Sequence, residues 1–377
     1  MQAGILAALL ACALGFGSGT SARPTTASVT AALDKLWAKY GPSQGLVGLC
    51  AGAVDGPVAV EKCYGKGAKG GAQADDRTLF RIESVSKTFA ATLLALRVQT
   101  GAVNLDDPVR EYIPVLGGQP LYPTSLTLAE LAEHYSGLPK PTPKKTKSLD
   151  AFFLQAGACL AKASCRNDEP GKSYLYSNWA FSVLGDLLGL KDGFSDGPIG
   201  PWEPDNIKSV AKPLGLTHTR SLPDWILKHA AYFAVHVATS GQEQDTSAPY
   251  GDPGGGLYSD ARDMLRWLRY SMGLFGPPKL LAAQHLLYEN AIANNLKTDQ
   301  PKEVMGLAWD VNTSTGTACV WKGGDGLGFH SYVTFVKDVR RGVFLLFNSD
   351  PETSKKTIGK NLLNSLPPTP GAGSPTC

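Results

Sequence analysis

Runs of β-prone residues predict strands near both ends of this 377-residue chain. Close to the N-terminus, Val47–Ala53 and Val58–Tyr64 flank Asp55-Gly56, a dipeptide that is typical of a hairpin turn. Further runs of this kind occur near the C-terminus, at Ala318–Trp321, Ser331–Val336 and Val343–Phe347. Strands at both ends with helices between them indicate one sheet that is built from both ends of the chain.

Apolar residues at helical spacing predict helices in several places. One helix is predicted over residues 29–40. Another begins at Ser84 and ends near Gly101, because glycine favours the left-handed conformation that follows many helix C-termini. Two further helices are predicted at Asp260–Tyr270, with Ser259 as the N-cap, and at Thr353–Leu366.

These elements predict an α/β protein in which a sheet domain carries an inserted helical domain. The stretch between the two sets of strands is rich in proline, glycine and short helical patterns and has few strand signals. We therefore expect the helical domain to span residues 111–245. The sheet domain would combine 23–110 with 246–366, between a signal peptide at 1–22 and a tail at 367–377.

The first residues have the pattern of a secretory signal. They carry no charged side chain, and an apolar run from Ile5 to Phe16 is followed by small residues that end at Ala22. A membrane anchor is less favoured, because the run is too short for a bilayer core of about 30 Å. A lipoprotein acylated on Cys12 is also less favoured, because no basic residue precedes it. We expect a secreted or periplasmic protein that is cleaved near Ala22 and has no stable membrane span.

The cysteine content is consistent with export. There are seven cysteines, and removal of the signal with Cys12 would leave six. Six cysteines allow fifteen pairings, so the sequence alone cannot settle their connectivity. The local pattern favours Cys50–Cys63 in the predicted hairpin, Cys159–Cys165 across a short loop, and the remaining pair Cys319–Cys377.

Composition and charge exclude some classes of function. The formal net charge is only +3, and no stripe of Lys and Arg interleaved with aromatic residues occurs, so nucleic acid is not an expected partner. The histidines are scattered and no CxxC motif occurs, so we expect no structural zinc.

The first candidate for chemistry is Ser84-x-x-Lys87, at the start of a predicted helix. Helical spacing places the two side chains on one face, about 5–6 Å apart at Cβ, so that an uncharged lysine can take the serine proton. The positive end of the helix dipole favours the uncharged lysine and an anion that forms at a carbonyl adduct. The spacing is common, and Ser209-x-x-Lys212 repeats it ahead of Pro213, which we expect to stop any helix there.

The second candidate is Tyr176-Ser177-Asn178. A tyrosine close to a cation can relay a proton between a nucleophile and a leaving group. The asparagine amide can donate a hydrogen bond to a substrate carbonyl.

The third candidate is the segment Lys322-Gly323-Gly324-Asp325, which follows the β-prone Val320-Trp321. A lysine that leaves a strand beside glycines would project into a cleft, and the glycines would let a substrate lie against the strand edge. On this segment alone, a surface lysine before a turn is equally consistent.

The three candidates together resemble a known family. The segments that carry the resemblance are FRIESVSKTF, YLYSNWAFSVLGDLL, GGGLYSDARDMLRWLR and KGGDGLGFHSYVTF. They are similar to the SxxK, YxN and KTG regions of class C β-lactamases and their relatives, and LAELAEHYSGLP resembles a further element of that family. The resemblance runs from about residue 40 to 366. Among the relatives, periplasmic D-alanyl-D-alanine carboxypeptidase/endopeptidases look most similar.

The resemblance implies an antiparallel sheet flanked by helices, a helical domain, and a site between them that needs no metal or cofactor. It implies an acyl-enzyme on Ser84, with Lys87 and Tyr176 as the base system. The backbone N–H groups of Ser84 and Asp325 would form the oxyanion hole. The residues that it implies as substrate contacts are Asn178, Lys322, Gly324 and Asp325.

Two departures from the family pattern affect the expected substrate. Gly323 replaces the usual Thr or Ser, so a hydroxyl that helps to hold a substrate carboxylate is missing. Asp325 adds a negative charge that should weaken binding of an anionic terminus unless it turns outward. These departures make an efficient β-lactamase less expected. We expect a D-alanyl-D-alanine peptidase that acts on peptides or β-lactams, and we expect it to be a monomer. A β-lactamase or a secreted esterase is the alternative, and a non-catalytic binding homologue is the least favoured.

Overall fold

The structure is a computed structural model that describes most of the chain after the predicted signal peptide. The described residues are 23–377 without 68–70, 114–121, 143–147, 196–199, 222–235, 238–242, 245–252, 290, 292–295, 315, 327 and 368–376. The predicted signal, residues 1–22, and most of the predicted tail therefore lie outside the described residues. Within the described ranges, no helix combines the length and apolarity that crossing a bilayer requires.

A seven-stranded antiparallel sheet forms the centre of the fold, in the order β2-β1-β11-β10-β9-β8-β7. Two short pairs, β3 with β6 and β4 with β5, lie outside it. The strands are β1 (Gly48–Asp55), β2 (Val58–Gly65), β3 (Phe80–Arg81), β4 (His236–Val237), β5 (Glu243–Gln244), β6 (Tyr258–Ser259), β7 (Glu303–Met305), β8 (Asp310–Asn312), β9 (Cys319–Asp325), β10 (His330–Val336) and β11 (Arg341–Phe347).

The helices are distributed over the whole described chain. They are α1 (Thr26–Tyr40), α2 (Ser86–Gln99), α3 (Leu128–Ala132), α4 (Leu149–Leu160), α5 (Asn178–Lys191), α6 (Trp202–Asn206), α7 (Ala261–Ser271), α8 (Pro278–Gln284) and α9 (Lys355–Ser365). The predicted α/β class, with strands from both ends of the chain in one antiparallel sheet, is confirmed.

Helices cover both faces of the sheet, which explains why β1 is buried along its whole length. Alternate residues of a strand point to opposite faces. Leu49 and Ala51 accordingly belong to the core that α1 and α9 close, whereas Cys50 and Val54 belong to the larger core that includes α2 and α7. Asp55 and Arg341 lie opposite each other in β1 and β11 and form a buried ion pair, with Arg341 Nε 2.9 Å from Asp55 Oδ1.

The helix that carries Lys87 and directly follows Ser84 is buried on all sides. Every residue of α2 from Ser86 to Leu96 is buried, because α2 packs against the turn that holds Ser84 and against α5 and α8. A helix that is covered all round provides a rigid base for side chains at its start. It ends as predicted, with Gly101 in the left-handed conformation at φ 71°.

The predicted hairpin and disulfides are present. Cys50 lies directly opposite Cys63 in the β1–β2 register, and these two residues form a disulfide. The structure also joins the other two pairs that the local pattern favours, Cys159–Cys165 and Cys319–Cys377.

Some predicted helix ends are wrong. Ser259 does not cap a helix but pairs with Phe80 in β6, and the N-cap of α7 is Asp260, whose carboxylate accepts from the Asp263 N–H at 2.8 Å. Asp can cap as well as Ser, so the SD dipeptide did not determine which residue begins the helix. The last helix is shorter than predicted, because Ser354 caps it and Lys355 begins it.

The prediction that Pro213 prevents any helix around Ser209 is also wrong. A π-helical segment, Ile207–Ala211, continues α6 up to that point. Pro213 lacks the N–H that a longer helix would need, so it limits the C-terminal end and not the preceding turns.

Candidate active site

Ser84 lies in a tight turn directly before α2. The turn is a 3₁₀ helix, Glu83–Val85, and Glu83 has a left-handed backbone at φ 49°. Ser84 therefore precedes the first residue of α2 and does not begin the helix as predicted. Neighbouring segments fix the turn, because the Ser331 hydroxyl donates to the Ile82 carbonyl at 2.6 Å and Ile82 N–H donates to the Leu257 carbonyl at 2.9 Å.

Lys87 lies one helical turn further on and is fully buried. Its Nζ donates to Ser84 Oγ at 3.0 Å and to Asn178 Oδ1 at 2.6 Å, and it also donates to the carbonyl of Gly254. The charged form can donate one N–H to each of these three oxygens, whereas the uncharged amine keeps two donors and has a lone pair that can accept the Ser84 proton. The contacts fix the nitrogen beside the serine oxygen, as the Ser84-x-x-Lys87 spacing predicts.

Tyr176 is the second side chain that contacts Ser84 Oγ. Its hydroxyl lies 2.6 Å from Ser84 Oγ, which is within the range for proton transfer. Ammonium groups surround its ring, with Lys87 Nζ at 4.8 Å, Lys322 Nζ at 5.2 Å and Lys140 Nζ at 5.8 Å from the centroid. Negative charge that develops on the phenol oxygen during proton transfer would be stabilised by these cations.

Asn178 is the first residue of α5 and lines the same cleft. Its amide oxygen accepts from Lys87, so the amide nitrogen is the group that remains to donate to a substrate carbonyl. Ser177, the N-cap of α5, accepts from the Ala180 N–H at 3.0 Å and thereby places Asn178 at the helix start.

Lys322 lies in β9 and its side chain is 2% exposed. Its Nζ donates to Asp310 Oδ2 on β8 at 3.2 Å. Burial raises the pKa of the Asp310 carboxyl, and the charge of Lys322 opposes this shift. Three distant stretches of the chain thus line or border one cleft, as the sequence predicts. They contribute Ser84 with Lys87, Tyr176 with Asn178, and Lys322.

Gly324 and Asp325, which belong to the same motif, have different surroundings. Gly324 packs against the Ile82 carbonyl and the Ser331 hydroxyl, where a Cβ atom would overlap with both. The Asp325 side chain lines the cleft, and its carboxylate accepts from His330 Nδ1 at 3.0 Å and from Lys355. The hydrogen bond from His330 and the adjacent Lys355 hold the pKa of Asp325 well below its usual value, against the effect of partial burial.

His134 is a residue to which the sequence analysis assigned no role. It is fully buried, with its ring centroid 4.3 Å from that of Tyr176. Its backbone carbonyl accepts from the Leu175 N–H at 2.7 Å, and its Nδ1 accepts from the Ser177 N–H at 3.0 Å. His134 therefore holds the residue on each side of Tyr176.

His134 must be neutral to accept at Nδ1, and its surroundings favour that state. Burial, together with the charges of Lys322 and Lys87, lowers the pKa of His134 well below its ordinary value. The backbone of His134 is left-handed, at φ 63°. Histidine and asparagine adopt this conformation more readily than most residues.

We expect His134→Ala to slow acylation of the enzyme by up to about 10²-fold, because a displacement of about 1 Å at a reacting group can have an effect of this size. His134→Asn should restore much of the rate, since its amide oxygen can replace Nδ1 as the acceptor and asparagine tolerates the backbone conformation. Pre-steady-state acylation and the melting temperature should be measured for both variants. A loss of melting temperature without any change in the acylation rate would contradict a positioning role.

The cleft that Ser84, Tyr176 and Asn178 line has a volume of about 630 Å³. These three residues line it together with residues of β9 and of the start of α9. Its size is in the range of small-molecule and peptide sites.

Comparison with known proteins identifies the family. The sequence profile of the family described as Beta-lactamase matches residues 29–364. The chain therefore belongs to the Beta-lactamase family, and it is a serine hydrolase of the β-lactamase and DD-peptidase class.

Several characterised proteins are similar to it. D-alanyl-D-alanine-carboxypeptidase/endopeptidase AmpH of Escherichia coli (strain K12) is 27% identical over 385 residues, which cover 96% of this chain and 95% of AmpH. Beta-lactamase-like protein 4 of Dictyostelium discoideum is 28% identical over 81% of this chain. The match spans 56% of the length of that protein.

Solved structures show the same fold. A class C β-lactamase in complex with cefoxitin superposes with a TM-score of 0.75 at 20% identity, over 90% of this chain and 99% of that one. D-alanine carboxypeptidase AmpC from Burkholderia cenocepacia gives a TM-score of 0.73 at 22% identity, over 91% of this chain and all of that one.

Proposed function

We propose that the protein hydrolyses acyl donors through an acyl-enzyme on Ser84, with D-alanyl peptides as the first class of donor. The observation that carries the proposal is the position of Ser84 Oγ, 3.0 Å from Lys87 Nζ and 2.6 Å from the Tyr176 hydroxyl. A serine whose oxygen contacts both an amine and a phenol can lose its proton as it attacks a carbonyl.

Acylation would proceed in two stages. The Lys87 and Tyr176 pair takes the Ser84 proton as Oγ bonds to the substrate carbonyl carbon, and the carbonyl oxygen becomes an anion. The backbone N–H groups of Ser84 and Asp325 receive this anion, and each such donor contributes about 3–4 kcal/mol to the transition state. The intermediate then collapses, the bond to the leaving group breaks, and Tyr176 returns the proton to that group.

Deacylation repeats the same proton transfers with water as the nucleophile. The Lys87 and Tyr176 pair takes a proton from water as its oxygen bonds to the ester carbonyl carbon. The bond between that carbon and Ser84 Oγ then breaks, the acid product leaves, and the proton returns to Ser84 Oγ. Asn178 and Lys322 would hold the acyl donor, since both border the reacting serine.

D-alanyl peptides are the first candidate because the AmpH relative, which is similar over nearly its whole length, is a D-alanyl-D-alanine-carboxypeptidase/endopeptidase. An esterase on the same nucleophile is the second candidate. It is favoured by the glycine at position 323 and by the carboxylate of Asp325, neither of which suits an anionic substrate terminus.

We also propose that the protein is secreted or periplasmic, that it acts as a monomer, and that 111–245 forms the helical domain. The three disulfides support an oxidising compartment, where such bonds persist. The pattern of a secretory signal in residues 1–22 also supports a secreted or periplasmic location.

Covalent labelling tests the proposed function. Incubation with a fluorescent penicillin at up to millimolar concentration should leave one adduct, which peptide mapping by mass spectrometry should place on Ser84. Fast hydrolysis of a p-nitrophenyl ester without an adduct would favour the esterase. An adduct on another residue, or no reaction with either reagent, would contradict the proposal.

A further inference from the structure

The space beside Gly323 is filled by a lysine from another element. A Cβ atom built at Gly323 would lie 3.0 Å from Lys355 Cε and 3.8 Å from Lys355 Nζ. Lys355 is the first residue of α9, and its ammonium group donates to the carboxylate of Asp325. The aliphatic part of the Lys355 side chain therefore occupies the space that a side chain at position 323 would need.

Asp325 and Lys355 belong to a larger charged cluster, which we call the Asp325 wall: Asp325, His330, Asp350 and Lys355. His330 lies between the two carboxylates, with Nδ1 3.0 Å from Asp325 Oδ1 and Nε2 2.7 Å from Asp350 Oδ1. Burial disfavours its charged form, but the hydrogen bonds to the two carboxylates outweigh this, so that the pKa of His330 is raised.

The carboxylates of the Asp325 wall are exposed at the cleft, and its cationic groups lie beneath them. The side chains of Asp325 and Asp350 are 71% and 37% exposed, whereas those of Lys355 and His330 are 12% and 16% exposed. Asp299, another exposed carboxylate, lines the same cleft. A ligand that enters from solvent therefore meets carboxylates before it meets the cations beneath them.

The cations next to the wall are also paired with carboxylates. Lys322 contacts Asp310 at 3.2 Å, and Lys356 contacts Glu303 at 2.8 Å. Among the described residues on this side of the cleft, each lysine therefore forms an ion pair with a carboxylate of the protein itself. Lys140 lines the other side, over the ring of Tyr176.

The leaving-group half of the substrate would lie along the side of the cleft that contains the Asp325 wall. Tyr176 is the group that returns the proton to the leaving group in the proposed mechanism, and Lys322 lies 5.2 Å from the centre of its ring. Gly323 and Asp325 follow Lys322 in β9 and line the same cleft. A leaving group that receives its proton from Tyr176 would therefore be close to the Asp325 wall.

We propose that the Asp325 wall selects acyl donors whose departing half carries no free carboxylate, such as an internal peptide bond, a carboxamide or a neutral ester. This inference rests on the proposed function and narrows its substrate class. A carboxylate at this position would have to approach Asp325 or separate it from Lys355. Two like charges about 4–5 Å apart in water repel enough to lower affinity about four- to sixfold.

Two esters of one acyl group test the proposal, with 3-hydroxybenzamide and 3-hydroxybenzoate as the leaving groups. They differ only in a neutral or a charged substituent, and their rates of alkaline hydrolysis correct for intrinsic reactivity. The wild-type protein should show a kcat/KM about four- to sixfold higher for the neutral ester after this correction. An N-acylated D-alanyl-D-alanine and its C-terminal amide should show the same order.

Two variants identify the source of the selection. Asp325→Asn and, independently, Asp350→Asn should lower the neutral-to-charged ratio of kcat/KM several-fold. Asp34→Asn is the matched control, because Asp34 is also an exposed carboxylate paired with a lysine, Lys62, and does not line the cleft. This control should leave the ratio unchanged. Melting temperatures show whether each variant is folded.

The outcomes separate this inference from the proposed function. Turnover that persists in Ser84→Ala, or no turnover of either ester, would contradict the proposed function and this inference with it. Ser84-dependent turnover that favours the charged ester would overturn only the inference, and would indicate that Lys140 or Lys322 receives the carboxylate. A ratio that neither Asp325→Asn nor Asp350→Asn changes would also overturn it.

Discussion

Ser84→Ala is expected to reduce turnover of any substrate by about a millionfold, since loss of a catalytic nucleophile has an effect of this order. Alanine removes the oxygen atom that contacts both Lys87 Nζ and the Tyr176 hydroxyl. The fold should be retained, because the turn is held by contacts of Ile82 and Ser86 rather than by the Ser84 side chain. Steady-state turnover and intact-protein mass spectrometry with a slow acyl donor measure the loss.

The chain supplies a matched control for this substitution. Ser209 has the same spacing to a lysine, Lys212, but its hydroxyl donates to Asp205 at 2.7 Å and it does not line the cleft. Ser209→Ala should retain turnover close to that of the wild type. If Ser84→Ala kept more than about a thousandth of the activity, a nucleophilic role for Ser84 would be excluded, because the expected loss is about 10⁶-fold.

Lys87→Met is expected to slow acylation by about 10⁴-fold, the upper end of the range for loss of a general base. Methionine has a similar length, so it removes the nitrogen without leaving a large cavity. It also leaves the Asn178 amide oxygen and the Gly254 carbonyl without the ammonium group that they contact. Each loss costs about 1–3 kcal/mol of stability if water does not replace the lysine. Rapid-mixing kinetics of acylation separate the catalytic effect from the stability effect.

A second substitution tests whether Lys87 and Tyr176 act as one unit. If both transfer the same proton, Lys87→Met combined with Tyr176→Phe should be little slower than the slower single variant. Lys212→Met is the control for loss of a lysine from a Ser-x-x-Lys segment outside the cleft. Fully multiplicative effects would indicate that the two residues act in separate steps.

Local patterns in the sequence predicted the fold and several of the contacts that the structure shows. The Asp55-Gly56 turn and the flanking strands predicted the hairpin, and the hairpin predicted the opposition of Cys50 and Cys63 that the structure shows. The Ser84-x-x-Lys87 spacing predicted the contact between the two side chains. In these cases the partners are close in sequence, so helical or strand geometry alone determines their distance.

The parts that the sequence did not predict depend on contacts between distant segments. His134 is 42 residues from Tyr176, and only the folded chain shows that it holds Leu175 and Ser177. Lys355 is 30 residues from Asp325, and no local pattern relates the first turn of α9 to the end of β9. The domain boundaries at 111 and 245 stay a prediction.

The neighbours of β1 in the sheet have a consequence for the order of folding. One neighbour, β2, is made immediately after it, but the other, β11, begins at Arg341, nearly three hundred residues later. During synthesis, β1 and β2 must remain a lone hairpin with an unpaired edge until almost the whole chain is complete. Pairing over such a distance is entropically slow, so the final joining of β1 to β11 should limit the rate at which the nascent protein reaches its native state.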